Sequence, residues 1–383
     1  MSVAHPPGPA HPGAHSPQGQ GGPTAAGPKP VKAHLRALPL RVGTRGSPLA
    51  LWQTRHFLGL ITRFCPVLRD AKAFEEHAIA TSGDRIQDRR LADVGGKGLF
   101  AKEIHEALSD GRVDFAVHSL KDLETELPPG IVLACTLTRE DSRDALILGP
   151  ACLRHDGPAY PRHDGPAGPR HDGPACPRHD GPRASAVDPA EAYACLPAGA
   201  VIGTSSVRRQ SQLLHARPDL RVEMIRGNVQ TRLAKLRGAD GPAASLLALA
   251  GLRRLGLEQE AAVVLDPEVM VPAAGQGIVG VTVRADDVEL LDLLSGIEDA
   301  EARAVSTAER ALLAALDGSC RTPIGGHARL LPDGSLHLTG LVARADGSFL
   351  LKRALQGDPR DAARLGCELG ESLRRDSPAD IFA

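Results

Sequence analysis

Two stretches far apart in the chain are written to one plan, and that repetition limits the fold more than any other feature. Val42-Gly43-Thr44-Arg45-Gly46-Ser47 opens the first half of the folded region, and Ile202-Gly203-Thr204-Ser205-Ser206 opens the second. Each runs from a short aliphatic strand through Gly-Thr to a serine, a residue suited to capping a helix N-terminus. After Ser47 comes Pro48, which is at home in the first turn of a helix. A strand that delivers the chain into a helix N-terminus, used twice, predicts an α/β fold with two similar lobes. Each lobe then aims free backbone N–H groups and a partial positive charge at a cleft.

Other segments extend the α/β pattern. Leu40 to Gly43 reads as a strand, and Leu49, Trp52, Leu60, Ile61 and Phe64 recur at helical spacing after it. Val113 to Val117 reads as a buried strand ending at His118-Ser119. Val201 to Gly203 is a strand followed by a helix through Leu214, Ile278 to Val283 is a strand, and Ala300 to Leu316 is a long amphipathic helix. Two segments stand outside this body. Residues 1–37 are rich in Pro, Gly, Ala and His and read as a disordered tail. Between Gly149 and Arg183, PRHDGPA-like units bring His155, His163, His171 and His179 into an eight-residue register. Units so short and so poor in apolar side chains have no face to bury, so the segment reads as an expanded surface loop rather than a solenoid or a metal tract.

Composition excludes several functions. Lys and Arg number 45 against 46 Asp and Glu, for a net charge of −1, and aromatic residues make up 3% of the 383 residues. A globally basic nucleic-acid binder and a stacking platform for single strands are both disfavoured. No apolar run reaches the length of a membrane span. The seven cysteines are scattered, odd in number and without a CxxC pair. Neither a disulfide framework nor a cysteine zinc site is expected, and no residue set is assigned to a metal. With no apolar leader visible at the N-terminus, the expectation is a cytoplasmic protein. Cys65, Cys135 and Cys367 fall in apolar or helical patterns and read as core, whereas Cys152 and Cys176 fall in the repeat loop.

The candidate chemistry is anionic. Arg45 sits at the first helix N-terminus, Arg208 and Arg209 in the first turn of the second helix, and Arg226-Gly227-Asn228 at a third strand-to-helix turn with Arg232 one turn on. Arginine in a first turn opposes the helix dipole, so a local anion would offset the placement. Guanidinium forks match planar carboxylates, and the set as a whole points to a ligand carrying several carboxylates or phosphates. Gly95-Gly96-Lys97-Gly98 lacks Walker spacing and reads either as a mobile loop with a cationic tip or as a plain connector. His118-Ser119-Leu120-Lys121-Asp122 follows a buried strand, where ligands of open α/β sheets sit. Asp122 is thus placed for acid/base or cation-stabilising work, with Lys121 helping to keep it ionised, although a capped turn with an ordinary ion pair fits the position equally. Cys320, in Gly318-Ser319-Cys320-Arg321, is sterically open beside an arginine, so it is either a nucleophile or attachment point or an inert thiol.

Taken in order, TRGSPLALWQ (44–53), VGGKGLF (94–100), AVHSLKD (116–122), GTSSVRRQ (203–210), RGNVQTRL (226–233), LALAGLRRLGL (247–257), PAAGQG (272–277), TAERA (307–311) and GSCRTPIGG (318–326) closely resemble the porphobilinogen deaminase, or hydroxymethylbilane synthase, family. The resemblance covers almost everything from about residue 38 to 380. It implies three domains. Two resemble the lobes of type II periplasmic binding proteins, formed by residues 38–138 with 272–295 and by residues 141–270. A small α/β C-terminal domain spans 298–383. It further implies a transferase that joins four porphobilinogen molecules head to tail, with loss of ammonia, on a dipyrromethane primer bound through a thioether to Cys320. Asp122 would be the catalytic carboxylate. Lys121, Thr204, Ser205, Ser206, Arg208, Arg209, Gly227 and Arg232 would hold the cofactor, and Arg45, Ser47, Lys97, Arg226 and Gln276 the substrate. The loop around Gly95–Gly98 would cover the cleft. The expected partner is porphobilinogen, with neither nucleic acid nor membrane, and the expected state is a monomer. Asp93, Gln230 and the 240–244 segment depart from the family pattern, and the tail and repeat insert lie outside it. Two rival readings are a non-catalytic carboxylate-binding module, which leaves Cys320 unexplained, and a phosphotransferase built on Gly95–Lys97, which lacks the required spacing.

Overall fold

The structure, a computed structural model, describes residues 37–86, 98–153, 192–318 and 322–382. The tail, most of the repeat loop, Lys97 and Cys320 lie outside the described residues. Contacts group Leu38–Ala383 into one compact unit.

Three sheets organise that unit. The first contains β1 (Leu40–Arg45), β2 (Phe74–Ile79), β3 (Phe115–Ser119), β4 (Ile131–Thr136) and β10 (Val279–Arg284) in the order β2-β1-β3-β10-β4. The second contains β5 (Asp144–Leu148), β6 (Val201–Gly203), β7 (Arg221–Glu223), β8 (Ala244–Ala248) and β9 (Val263–Leu265) in the order β7-β6-β8-β5-β9. The two orders are the same design. In each, the first three strands of the lobe are parallel, and one antiparallel strand arriving from the other lobe sits between the third and fourth. β5 is that strand in the second lobe and β10 in the first. This exchange gives physical form to the repeated Gly-Thr-Ser plan and to the two similar lobes it implies. The two crossing segments run side by side: Glu140 N donates to Gly277 O at 3.0 Å and Arg139 Nε to Gln276 O at 2.9 Å.

The third sheet is an antiparallel meander of β11 (Ile324–Leu330), β12 (Leu336–Ala343) and β13 (Leu350–Gly357). Helices Ala300–Ala315 and Ala362–Arg375 pack on it. They approach closely because Gly366 has no side chain: a Cβ there would meet Ala308 O at 2.3 Å. The apolar core of this layer also takes in Leu120, Leu123 and Ile278 from the first lobe. The turn that carries Asp122 is therefore braced from beneath by the third sheet.

Several local readings change. The helix after Ser47 spans Pro48–Phe64, but its buried side chains are Ala50, Gln53, Thr54, Phe57 and Ile61. Trp52 and Phe64, expected on the inner face, are exposed, because the polar pair Gln53 and Thr54 is turned inward instead. β3 starts at Phe115 and includes His118-Ser119. Just before it, the Asp114 carboxylate accepts the Arg41 N–H at 2.7 Å and continues as a side-chain ion pair. Cys367 is exposed and Cys65 only half-buried, while Cys135 is core as expected. Cys152, assigned to the repeat loop, is buried in the one-turn helix Pro150–Leu153, where Sγ lies 3.5 Å from Cys195 O. The folded body thus runs a few residues into the segment read as loop.

Candidate active site

Both serines of the repeated motif cap helices. Ser47 Oγ accepts from Ala50 N at 3.3 Å, and Ser206 Oγ accepts from Arg209 N at 3.4 Å at the start of helix Val207–Ala216. Thr204 Oγ1 accepts from Ser206 N and Ser205 Oγ donates to Ile225 O, which ties the second motif to the third turn. There Asn228 caps helix Val229–Arg237 through Thr231 N at 2.9 Å. Gly227 has φ +117°, a left-handed value that favours glycine, and a Cβ there would lie 2.6 Å from Thr231 Cγ2. Its carbonyl accepts from Arg232 Nε at 2.9 Å.

Arg45 is the hub on the first lobe. Its Nε and Nη2 donate to Asp84 at 3.3 and 2.5 Å, its Nη1 donates to Asp122 Oδ2 at 3.2 Å, and its guanidinium stacks 4.1 Å above the Phe100 ring. The direct ion-pair partner of Asp122 is therefore Arg45. Lys121, expected in that role, instead donates to Gln276 Oε1 at 3.2 Å. Burial, reinforced by the charge of Arg209, pushes the Lys121 ammonium down to about 8. Gln276 passes the network on: its Nε2 donates to Ser142 O at 2.7 Å and to Asp144 Oδ1 at 3.0 Å.

Asp144 answers the question of the first-turn arginines. Arg209 donates Nε and Nη2 to its Oδ1 at 3.1 and 2.7 Å, and Arg208 Nη2 lies 2.8 Å from Oδ2. Arg208 Nη1 and Arg209 Nη1 are used on Val271 O and Leu246 O. All three residues are buried. Burial alone would raise the Asp144 carboxyl, but the two guanidinium charges reverse this and hold it far below the usual carboxylate range. The local anion implied by the helix dipole is the chain's own aspartate.

Most of these groups, though not Asp144 or Thr204, line one cavity of about 740 Å³, within the usual size of small-ligand sites. Its described lining holds Arg45, Lys121, Arg208, Arg209, Arg226, Arg232 and Arg254 against the carboxylates Asp84, Asp122, Glu124 and Glu309, together with Ser47, Ser205, Ser206, Gly227 and Gln276. A chain of net charge −1 thus gathers a cationic surplus in one place. The crowding is felt: burial, with the charges of Arg209 and Arg226, pushes Arg232 down to about 10. Arg226 also donates Nη2 to Gly83 O at 3.1 Å, which links the two lobes across the cavity. Gly318 and Thr322, the described neighbours of the Cys320 loop, both face the same space. Size and excess positive charge fit a ligand with several acidic arms.

A family model described as "Porphobilinogen deaminase, dipyromethane cofactor binding domain" matches residues 40–161 and 172–292, and one described as "Porphobilinogen deaminase, C-terminal domain" matches residues 304–375. The chain belongs to the porphobilinogen deaminase family. Among its relatives, the porphobilinogen deaminase of Sorangium cellulosum is 44% identical over 341 residues, covering 88% of this chain and 98% of the relative. The chloroplastic porphobilinogen deaminase of Oryza sativa subsp. japonica is 39% identical over 355 residues, 92% of this chain and 88% of the relative. Among solved structures, the substrate binding protein of an amino acid ABC transporter aligns with a TM-score of 0.33 and 11% identity, over 68% of this chain and 91% of that one. The break in the first family match, at 162–171, falls inside the repeat insert.

As a porphobilinogen deaminase family member, the chain is an enzyme of the transferase class that uses a dipyrromethane cofactor. Of the site residues read from the sequence, the cavity brings together all that are described except Thr204, which is buried just behind Ser205 and Ser206. Lys97 and Cys320 lie outside the described residues. The sequence reading missed Asp84, Asp144, Glu309 and Arg254. Glu309 is fully buried and accepts from Arg139, Gly275 N and Ala328 N, so it fastens the third sheet to both crossing segments. Among the described residues no helix is long and apolar enough to cross a membrane.

Proposed function

We propose that Asp122 is the catalytic carboxylate and that the cavity arginines grip the acidic arms of porphobilinogen and of the growing chain. The observation that carries this reading is Asp122 at the end of β3, half-exposed to the cavity, with one oxygen given to Arg45. The other oxygen is left for a pyrrole N–H. When bound, dipyrromethane supplies an anchored pyrrole on which new units are added. The chain's own groups do the rest. Asp122 holds ring N–H groups by hydrogen bonds and stabilises the positive charge that develops as ammonia leaves and the new bond forms, a role worth on the order of 10²–10³ in rate for a preorganised group. Arg45, Arg226 and Arg232 bind carboxylates by forked hydrogen bonds, Ser47, Ser205 and Ser206 add hydroxyls, and Gln276 positions Lys121. Arg208 and Arg209 contribute positive potential and their remaining N–H groups.

Residues 38–138 with 272–295 serve as the lobe bearing Asp122, residues 141–270 as the second carboxylate-gripping lobe, and residues 298–383 as the carrier of Cys320 for a thioether. In this reading the enzyme acts on porphobilinogen as a cytoplasmic monomer, without nucleic acid or membrane. Asp122→Asn keeps the size of the side chain and removes its charge. Turnover of porphobilinogen, followed by ammonia release, is expected to fall at least about a hundredfold with the melting temperature unchanged. A rate near that of the parent enzyme contradicts the assignment.

A further inference from the structure

The guanidinium that meets Asp122 is itself held by a second carboxylate, one outside every motif stretch quoted above. We propose that Asp84 is a positioning residue for the reaction: it fixes and neutralises Arg45, so that the negative charge of Asp122 stays available to the cation formed on the reacting ring. This inference rests on the roles proposed above for Asp122 and Arg45.

Asp84 takes a two-pronged grip on Arg45, at 3.3 Å from Nε and 2.5 Å from Nη2, which leaves Nη1 for Asp122 at 3.2 Å. A fork of this kind fixes the guanidinium plane, and the Phe100 ring 4.1 Å beneath it removes the remaining rotation. Asp84 is anchored in turn: its Oδ2 accepts from Thr81 Oγ1 at 2.8 Å and from Thr81 N at 3.4 Å, closing a capping box on the one-turn helix Ser82–Arg85. An ordered line therefore runs from Thr81 through Asp84 and Arg45 to Asp122.

The charges give this line a purpose beyond rigidity. Asp84, Arg45 and Asp122 together carry one net negative charge. Without Asp84, Arg45 and Asp122 cancel, and the carboxylate meant to stabilise a cation is spent on its neighbour. An Arg45 released from Asp84 would instead bind an acidic arm of the substrate more tightly. Loss of the Asp84 charge therefore moves binding and turnover in opposite senses, whereas simple damage to the site weakens both.

The test compares Asp84→Asn, which retains an oxygen for Thr81, with Asp84→Glu, which retains the charge, both as cofactor-loaded enzyme with porphobilinogen. For Asp84→Asn, kcat is expected to fall roughly ten- to a hundredfold while KM stays level or drops, and Asp84→Glu is expected to recover most of kcat. In an Arg45→Gln background, Asp84→Asn should cost no further kcat, since its effect passes through Arg45. Parent-like kcat in Asp84→Asn, a raised KM with intact kcat, additive losses with Arg45→Gln, or unfolding seen by circular dichroism would each overturn the proposal. Asp122→Asn assayed alongside separates the two claims. If Asp122→Asn is active, the reading of the site fails. If Asp122→Asn is inactive while Asp84→Asn is normal, only the role of Asp84 fails.

Discussion

The two lobes present the same motif to the same cavity and use their arginines in opposite ways. On the first lobe, Arg45 lies at the cavity wall, shared between Asp84 and Asp122 and partly open to solvent. On the second, Arg208 and Arg209 are sunk into the lobe and locked on Asp144 and two backbone carbonyls. Asp144 is the first residue of β5, the strand received from the other lobe, and Gln276 joins it to Lys121 beside Asp122. One duplicated plan thus yields a cavity-facing cation on one side and a buried ionic clamp on the other. The clamp ties the crossing segments to both lobes, so its charge acts mainly on architecture, while the Arg45 group faces the cavity.

Breaking the clamp is the strongest test of that contrast. Asp144→Ala strands two buried guanidinium groups without their anion, and the loss of such a partner costs about 3–5 kcal/mol. Chemical denaturation is expected to show a destabilisation of that size, with activity lost through unfolding. Asp122→Asn, by contrast, should leave the denaturation midpoint where it is. Equal stability of Asp144→Ala and the parent enzyme would remove the distinction between the two sides.

A subtler effect concerns Lys121, which stands between the two regions. Its folded value of about 8 lies below the ordinary 10.5 because of burial first and Arg209 second. Between those values the unfolded chain binds more protons than the folded one, so this group makes stability rise with pH from about 8 toward 10.5. Lys121→Met removes that contribution, and the slope of unfolding free energy against pH should be flatter in the variant across this range. Parallel slopes would mean that Lys121 is as well solvated as a surface lysine.

What could be read from the sequence follows from which interactions are local. The strand-to-helix turns at Ser47 and Ser206 were legible because capping is decided within a few residues. So was the need for an anion near Arg208 and Arg209, since the helix dipole is a property of their own helix. That the anion is Asp144 was not legible, because the pair meets only when β5 enters the second sheet. Asp84 was hidden for the same reason, and so was the role of Glu309, which sits in the TAERA stretch but whose partners lie in other elements. The inner face of the first helix was misjudged because hydropathy favours Trp52 and Phe64, whereas the structure turns Gln53 inward, where its amide bonds to Ser119 Oγ beside the cavity. Near a polar site, side chains that serve the site displace apolar ones from the buried face.

In the proposed function this cavity holds a pyrrole chain tethered by sulfur to Cys320. The intact mass of the purified enzyme, under denaturing conditions, tests it most directly. A mass above that of the translated polypeptide by one dipyrromethane unit is expected, assigned by peptide mapping to Cys320 and absent from Cys320→Ser. A mass equal to the bare polypeptide, unchanged after incubation with porphobilinogen, would contradict it.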